Sequence, residues 1–207
     1  MSRESKRRKQ LVEYCRKLHS KGYVPGVDGN ISMRLDEKSF LITPSGVSKE
    51  VVKPRELVRI SMSGDVMDEG KRPSIETNMH LAAFNHSDAN AVIHVHSSNA
   101  VAFALARVNI DTRYTPAAYY HLGLVGYVPY YASGSELLHS EVTALIKKKY
   151  KVVLLESHGA LVMGADMQDA FAKTDLLETY AGMLMKADSL GGAVRLTDEQ
   201  LDEIHGG

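Results

Sequence analysis

Two short apolar runs rich in β-branched residues constrain the fold of this chain more than any other feature. They occupy residues 91–96 and 151–155, and segments with a helical apolar period lie on both sides of each run. Runs of this length are typical of strands buried within a sheet. Because helices alternate with strands and hairpins come early, the sequence predicts an α/β protein with a mixed sheet covered by helices on both faces.

The remaining elements follow from the apolar period and from capping residues. Alternation of apolar and polar residues predicts two hairpins, at residues 31–43 and 57–67. The Tyr-rich segment after residue 106 is predicted to be a loop. No linker rich in Pro, Gly or Ser divides the chain, so residues 1–207 are predicted to form a single domain. Helices are predicted at about residues 4–20, from Ser74 onward, and at about 99–106, 135–149 and 166–190, the last with Asp166 as its N-cap.

Charge and cysteine content exclude several classes of protein. Lys+Arg and Asp+Glu number 25 each, so no net charge attracts nucleic acid or an anionic membrane. Cys15 is the only cysteine, which favours a reducing compartment. The charged N-terminus has no apolar segment behind it, and no apolar run approaches the length of a membrane span. We therefore expect a cytoplasmic protein with no nucleic-acid or membrane partner.

Three histidines indicate a metal site. His94 and His96 lie two apart in a predicted strand, so both side chains point to the same face. Zinc accepts neutral imidazole nitrogen and needs only three protein ligands when one position is left for substrate. The pair alone leaves open that one imidazole is a hydrogen-bonded core group and the other a solvated edge residue. His158, which ends a second buried strand and precedes Gly159, favours the metal site.

Glu76 has a purely structural explanation in the residues around it. It lies within residues 72–77, where Ser74 is a predicted N-cap, and the helix dipole stabilises an acid in a first turn. His121, in the Tyr-rich segment, is left open. The other histidines lie on helical patterns or at the tail and are interpreted as surface or packing residues, namely His19, His80, His86, His139 and His205.

Short motifs occur in a fixed order along nearly the whole chain. They read DGNIS at 28–32, TPSG at 43–46, PSIE at 73–76, HVHS at 94–97 and SHG at 157–159. Together they resemble the class II aldolases of the fuculose-phosphate, rhamnulose-phosphate and adducin-head type. The resemblance implies a three-layer α/β/α fold whose central sheet is mixed and largely antiparallel.

The resemblance also implies a metal centre. His94, His96 and His158 would bind a zinc ion, or another divalent ion such as Mn²⁺, Co²⁺ or Fe²⁺. Glu76 would ligate the metal at rest and serve as acid or base in turnover. Tyr120 would carry the proton of the leaving aldehyde oxygen, with Tyr119 as the alternative one residue away.

A phosphate pocket and an assembly are implied as well. Asn30, Ser45, Gly46 and Ser74 would hold the phosphate, with backbone N–H groups as donors. Ile75 departs from the fuculose-phosphate enzymes, which carry a serine there, so one hydroxyl donor is missing from this pocket. Members are commonly homotetramers with active sites between subunits, so we expect a homotetramer acting on a small sugar phosphate.

The implied reaction is the reversible cleavage of a ketose 1-phosphate, such as L-fuculose 1-phosphate, to dihydroxyacetone phosphate and a short aldehyde. A divalent cation would stabilise the enediolate formed on the way. Decarboxylases of 3-oxo-tetronate 4-phosphate, dehydratases and epimerases use the same scaffold and stay open as alternatives. Epimerases typically carry aspartate at the position of Glu76, so the glutamate disfavours epimerisation. An adducin-like interaction module without catalysis is disfavoured because every implied ligand is present.

Overall fold

The computed structural model describes residues 2–205, which form a seven-stranded mixed sheet and seven α-helices. The strands are β1 (Asn30–Arg34), β2 (Ser39–Ile42), β3 (Val58–Ser61), β4 (Ala91–Val95), β5 (Val125–Val128), β6 (Val152–Leu155) and β7 (Gly159–Gly164). The helices are α1 (Arg3–Ser20), α2 (Thr77–His86), α3 (Ser98–Leu105), α4 (Pro116–Leu122), α5 (Glu136–Lys147), α6 (Met167–Asp188) and α7 (Asp198–His205), with a short 3₁₀ helix at Pro54–Glu56.

The sheet has the strand order β3-β2-β1-β4-β7-β6-β5. Only the β5–β6 pair is parallel, and the other neighbouring strands are antiparallel. This confirms the predicted α/β class and the mixed, largely antiparallel sheet. Because β4 and β6 both pair antiparallel with β7, they run in the same direction and end at the same edge of the sheet.

Each face of the sheet carries its own apolar core. Ile93 and Val95 of β4 join the core that includes residues of α1, α3, α4 and α6, whereas Val92 joins the core that includes residues of α2 and α5. The alternation along β4 therefore sends the side chains of His94 and His96 toward the α2/α5 face. This is the three-layer arrangement that the resemblance implies.

Several elements differ from the sequence prediction. The Tyr-rich segment is not only a loop, because it contains α4, with Thr115 as N-cap and Pro116 in the first turn, and then β5. β7 and α7 were not predicted. Ser74 is not the N-cap of α2: the helix begins at Thr77, and Glu76 occupies the cap position. The second hairpin is reduced to β3 and a single bridge between Ile60 and Val66.

In the described part of the chain, none of the helices is both long enough and apolar enough to cross a membrane.

Candidate metal centre

The shared edge of β4 and β6 brings the three histidines together. His94 is the fourth residue of β4, His96 follows the end of that strand, and His158 lies in the tight turn between β6 and β7. Ser157 takes a positive φ of 54°, a conformation that residues other than glycine adopt rarely, and this bends the turn just before His158. The nitrogen atoms of the three side chains lie within 4.8 Å of one another.

The Nε2 atoms of the three imidazoles converge on one point. Nε2 of His94 lies 2.9 Å from Nε2 of His96 and 3.3 Å from Nε2 of His158. Ligands at the zinc–nitrogen distance of about 2.0–2.1 Å in a tetrahedron are about 3.3 Å apart. The separation of His94 and His158 equals this value and that of His94 and His96 is 0.4 Å shorter, so these nitrogen atoms are close to the spacing that a tetrahedral divalent ion requires.

The tautomers of His94 and His96 explain why a cation fits here. Nδ1 of His94 lies 3.1 Å from the carbonyl oxygen of Ala160, and Nδ1 of His96 lies 3.5 Å from Oδ2 of Asp28. Both oxygens only accept hydrogen bonds, so each neutral ring carries its proton on Nδ1 and presents a lone pair at Nε2. Two lone pairs 2.9 Å apart repel each other unless a cation lies between them. Such Nδ1 partners are typical of histidines that ligate a metal.

Burial keeps the ring of His94 neutral. The side chain is fully buried, and the loss of hydration lowers the pKa of His94 to about 3. Burial also lowers the pKa of His96. Only the neutral imidazole can ligate a metal, so burial keeps both rings in the form that metal binding requires.

Glu76 completes the cluster from the other side. Its Oε2 lies 3.2 Å from Nε2 of His94, and its Oε1 lies 3.1 Å from Nε2 of His158. Glu76 is only 4% exposed; burial alone would raise its pKa, but His94, His158 and the Asn30 amide hold that pKa well below the ordinary range. Within residues 2–205, Oε1 finds no hydrogen-bond donor. A buried carboxylate oxygen beside three converging imidazole nitrogens has the chemistry of a fourth metal ligand.

Gly159 is required by the close approach of β7 to His94 and His96. A Cβ atom on this residue would lie 2.8 Å from Cδ2 of His96 and 3.0 Å from Cε1 of His94, and still closer to the carbonyl oxygen of Val95. The positive φ of this turn belongs to Ser157 and not to Gly159. The glycine instead lets β7 pass against the two histidines.

Three of the four residues predicted for phosphate, Ser45, Gly46 and Ser74, lie in two facing loops. Pro44 pairs with Pro73 in an isolated bridge, the N–H of Ser45 donates to the carbonyl of Arg72 at 3.1 Å, and the N–H of Ser74 donates to the carbonyl of Thr43 at 3.3 Å. Two of the N–H groups expected to hold phosphate are therefore already bonded within the protein.

The exposed surface of this loop pair differs from its buried side. Ser45 and Gly46 face solvent, and Ile75, which follows Ser74 in the chain, is 67% exposed. Asn30 is buried instead, and its Nδ2 donates to Oε2 of Glu76 at 2.8 Å. The structure thus places Asn30 against the acid of the cluster.

Tyr120 lies at the opposite edge of the sheet. It belongs to α4, which leads into the start of β5, and it borders a groove together with Lys148 and Lys151. Lys151 directly precedes β6, whereas His158 follows the end of that strand. Tyr120 is 59% exposed, and one chain does not bring it or its neighbour Tyr119 to the histidines.

Sequence reasoning missed three residues near the cluster. His80 was interpreted as packing, yet its ring contacts Asn30, and its spacing of four residues from Glu76 was an available signal. Asp28 lies within a quoted motif but was given no role toward His96. Ser133, whose Oγ is 3.4 Å from Nε2 of His158, comes from a loop with no sequence signal.

Comparison with known proteins identifies relatives of this arrangement. Residues 9–185 match the model of the family described as the Class II Aldolase and Adducin N-terminal domain. A protein of Methanocaldococcus jannaschii named L-fuculose phosphate aldolase is 34% identical over 180 residues, which cover 86% of this chain and 95% of that protein. A protein of Cupriavidus necator named 3-oxo-tetronate 4-phosphate decarboxylase is 33% identical over 212 residues, covering 99% and 96% of the two chains.

A solved structure matches the fold over almost its full length. YgbL from Klebsiella pneumoniae, whose description gives aldolase, epimerase and decarboxylase as alternatives, has a TM-score of 0.91 and 27% sequence identity. The match covers 97% of this chain and 98% of that chain. The two named activities among the relatives share the fold but differ in the bond that is broken.

Proposed function

Because this chain belongs to the family of class II aldolases and adducin N-terminal domains, we propose that it is a metal-dependent lyase acting on a sugar phosphate. The specific reaction we propose is the reversible cleavage of a ketose 1-phosphate, such as L-fuculose 1-phosphate, to dihydroxyacetone phosphate and a short aldehyde. The convergence of three imidazole nitrogens and the buried Glu76 carboxylate carries this proposal. Such a site suits a reaction that develops negative charge beside a bound cation.

His94, His96, His158 and Glu76 would hold the ion. Nitrogen and carboxylate donors in a tetrahedral spacing suit zinc, and Mn²⁺, Co²⁺ or Fe²⁺ accept the same donors. When bound there, the ion supplies Lewis-acid stabilisation of negative charge on a substrate oxygen.

Glu76 would move the proton on the three-carbon fragment. After the bond between C3 and C4 breaks, this carboxyl group returns a proton to C3, and in the reverse direction it removes that proton. Its oxygens lie 3.1 and 3.2 Å from the imidazoles of His158 and His94, so it is held against the place where the fragment would bind.

The phosphate would bind at the exposed loop pair. The Ser45 and Ser74 hydroxyls and the N–H of Gly46 are the groups we assign to it, since the other two N–H groups are bonded across the loops. Asn30, also predicted for phosphate, would act through Glu76 in the arrangement seen here. A pocket of neutral donors without Lys or Arg binds phosphate through hydrogen bonds alone.

Tyr120 would serve in a neighbouring copy of the chain. Its position at the far edge of the sheet and its exposure suit a homotetramer in which each site lies between two subunits. In the cleavage direction the tyrosine side chain would take the proton from the C4 hydroxyl, and in synthesis its phenol would donate to the aldehyde oxygen.

Decarboxylation of a 3-oxo-tetronate 4-phosphate is the second candidate. The Cupriavidus necator relative of that name is nearly as similar to this chain as the aldolase from Methanocaldococcus jannaschii. Ile75 also supports it, because its exposed apolar side chain stands where the fuculose-phosphate enzymes carry a serine. Both reactions leave an electron pair on a carbon next to a carbonyl, so both use a cation and an acid in the same positions.

One experiment separates the two candidates. Metal-loaded protein is given a panel of ketose 1-phosphates and a 3-oxo-tetronate 4-phosphate, and the release of dihydroxyacetone phosphate and of carbon dioxide is followed. Dihydroxyacetone phosphate release that a chelator abolishes and added Zn²⁺ restores supports the aldolase. Carbon dioxide release with the same metal dependence supports the decarboxylase. Turnover that persists without metal contradicts both.

A further inference from the structure

Behind Glu76, three buried polar side chains form one continuous hydrogen-bond chain that ends on its carboxylate. Oγ of Ser32 lies 2.6 Å from Nδ1 of His80, Nε2 of His80 lies 2.5 Å from Oδ1 of Asn30, and Nδ2 of Asn30 lies 2.8 Å from Oε2 of Glu76. Ser32 and His80 are fully buried, and Asn30 and Glu76 are 5% and 4% exposed. None of the roles proposed above uses His80 or Ser32.

The fold brings these residues together through two periodicities. Asn30 and Ser32 are two apart on β1 and therefore share a face, and Asn30 is paired directly opposite His94. Glu76 and His80 are four apart at the start of α2, so they lie one helical turn from each other. The α2 helix packs over this face of the sheet, which sets the acid and the histidine against the two strand residues.

The donor and acceptor of each hydrogen bond in this chain follow from the carboxylate of Glu76 at its end. A carboxylate only accepts, so the Asn30 group facing Glu76 is the amide NH₂, and the carbonyl oxygen of Asn30 must face His80. That oxygen also only accepts, so the proton of His80 is on Nε2. Burial lowers the pKa of His80 to about 4, which keeps the ring neutral, and its Nδ1 then accepts from the hydroxyl of Ser32. All three donors point toward the acid.

We propose that His80 is a positioning residue that selects which oxygen of Glu76 takes part in proton transfer. By holding the carbonyl oxygen of Asn30, it prevents the amide from flipping and keeps an N–H donor on Oε2 of Glu76. The hydrogen bond lowers the basicity of Oε2, so Oε1, which faces His158 at 3.1 Å, becomes the more basic oxygen. This inference rests on the proposed role of Glu76 in turnover.

A His80 variant pair tests the chain of bonds. The amide nitrogen of Gln can take the place of Nε2 and donate to Asn30, whereas Leu fills the space without a donor. We expect His80→Leu to lower kcat about 10-fold or more with little change in KM, as for other residues that support metal ligands. His80→Gln should recover most of that loss. A pH profile of kcat that is unchanged in His80→Leu would overturn the proposal, because a merely structural residue would not shift the profile.

Two readouts on the protein do not depend on which reaction it catalyses. Nitrogen-15 spectra of histidine-labelled, Zn²⁺-loaded protein should show His80 as the neutral tautomer protonated on Nε2, with its resonance identified by its loss in His80→Gln. The visible spectrum of the Co²⁺-loaded protein should change in His80→Leu and remain like that of the unmodified protein in His80→Gln, because Glu76 loses its orienting donor only in the first variant. A proton on Nδ1, or identical Co²⁺ spectra in all three proteins, would overturn the proposal.

These readouts also separate the two possible failures. If no sugar phosphate is turned over but the tautomer and the Co²⁺ spectra behave as described, the proposed reaction is wrong and the positioning of Glu76 by His80 stands. If turnover is found and the spectra do not respond, the positioning role is wrong and the proposed function stands.

Discussion

The two edges of the central sheet differ in whether a single chain brings its candidate functional residues together there. At the edge where β4 and β6 end, His94, His96 and His158 meet Glu76 in a buried cluster. At the edge where β5 and β6 begin, Tyr120 is exposed beside a groove lined by lysines. Strand pairing within one chain fixes the first arrangement, whereas under the proposed function Tyr120 would reach a histidine cluster only in another copy of the chain. A mutation in the histidine cluster should therefore impair only the site of the subunit that carries it. A mutation of Tyr120 should impair the site of a neighbouring subunit.

Removing one ligand should produce the largest effect. His94→Ala takes away a fully buried nitrogen that lies within 3.3 Å of the other two, so we expect both bound metal and turnover to fall below detection. The measurement is metal content by elemental analysis together with turnover. His86→Ala, which changes an exposed histidine at the end of α2, is the control and should keep both. Full metal content in His94→Ala would contradict the assignment of this edge.

Removing only the charge of Glu76 should separate metal binding from catalysis. In Glu76→Gln the three imidazoles remain, so metal is retained, but the proton carrier is lost. General acid–base groups contribute about 100-fold or more, so we expect turnover to fall by at least that amount. Metal content and kcat are measured on the same preparation. Equal turnover in this variant and the unmodified protein would contradict the proposed role of Glu76.

The histidine edge was largely predictable because local rules decide it. Alternation along a strand places His94 and His96 on one face, and the end of the second apolar run supplies His158. Both signals can be read within a few residues. The class of fold follows in the same way from the alternation of helices and strands.

What could not be predicted depends on contacts between distant segments. Glu76 was fully explained as a helix-start acid, and only the resemblance gave it a catalytic role; its contact with Asn30 requires β1 to pair with β4 under α2. α4 was missed because its Tyr and Ala residues have no strong apolar period, although Thr115 and Pro116 are the capping signals of a helix start. Nothing in the sequence predicts that the N–H of Ser45 donates to the carbonyl of Arg72 in the facing loop.

The tyrosine edge is tested by mixing two impaired proteins. Tyr120→Phe should lower turnover about 100-fold while metal content stays the same, because in the proposed reaction the phenol carries a proton and does not ligate the metal. Tyr119→Phe is the matched control. When Tyr120→Phe and His94→Ala subunits are dissociated and reassembled together, about a quarter of the sites should combine intact ligands with an intact neighbouring tyrosine, and activity should reappear. No recovery in verified mixed assemblies would contradict a site shared between subunits.

A pair of glycine variants on β7 compares the ligand edge with the other end of the same strand. Gly159→Ala forces a methyl group against His96, His94 and a backbone carbonyl, and Gly164→Ala forces one against Ala170. Each should destabilise the fold by about 1–3 kcal/mol, as overpacking does. Only Gly159→Ala should also weaken metal affinity, by about 10-fold. Thermal unfolding and metal competition are measured together, and an equal loss of affinity in both variants would show that affinity follows global stability.

The smallest effect is expected at Ile75, which is exposed in the loop that also carries Ser74. Ile75→Ser restores a hydroxyl beside Ser74, and one added hydrogen bond to phosphate is worth about 0.5–1.5 kcal/mol, so KM for a ketose 1-phosphate should fall by about 10-fold at most. Ile75→Ala removes the apolar bulk without adding a donor and separates the two contributions. We expect the serine variant alone to lower KM, with kcat and metal content unchanged. If KM falls equally in the alanine variant, the isoleucine obstructs the phosphate by its bulk, and the missing hydroxyl is not the reason for weaker binding.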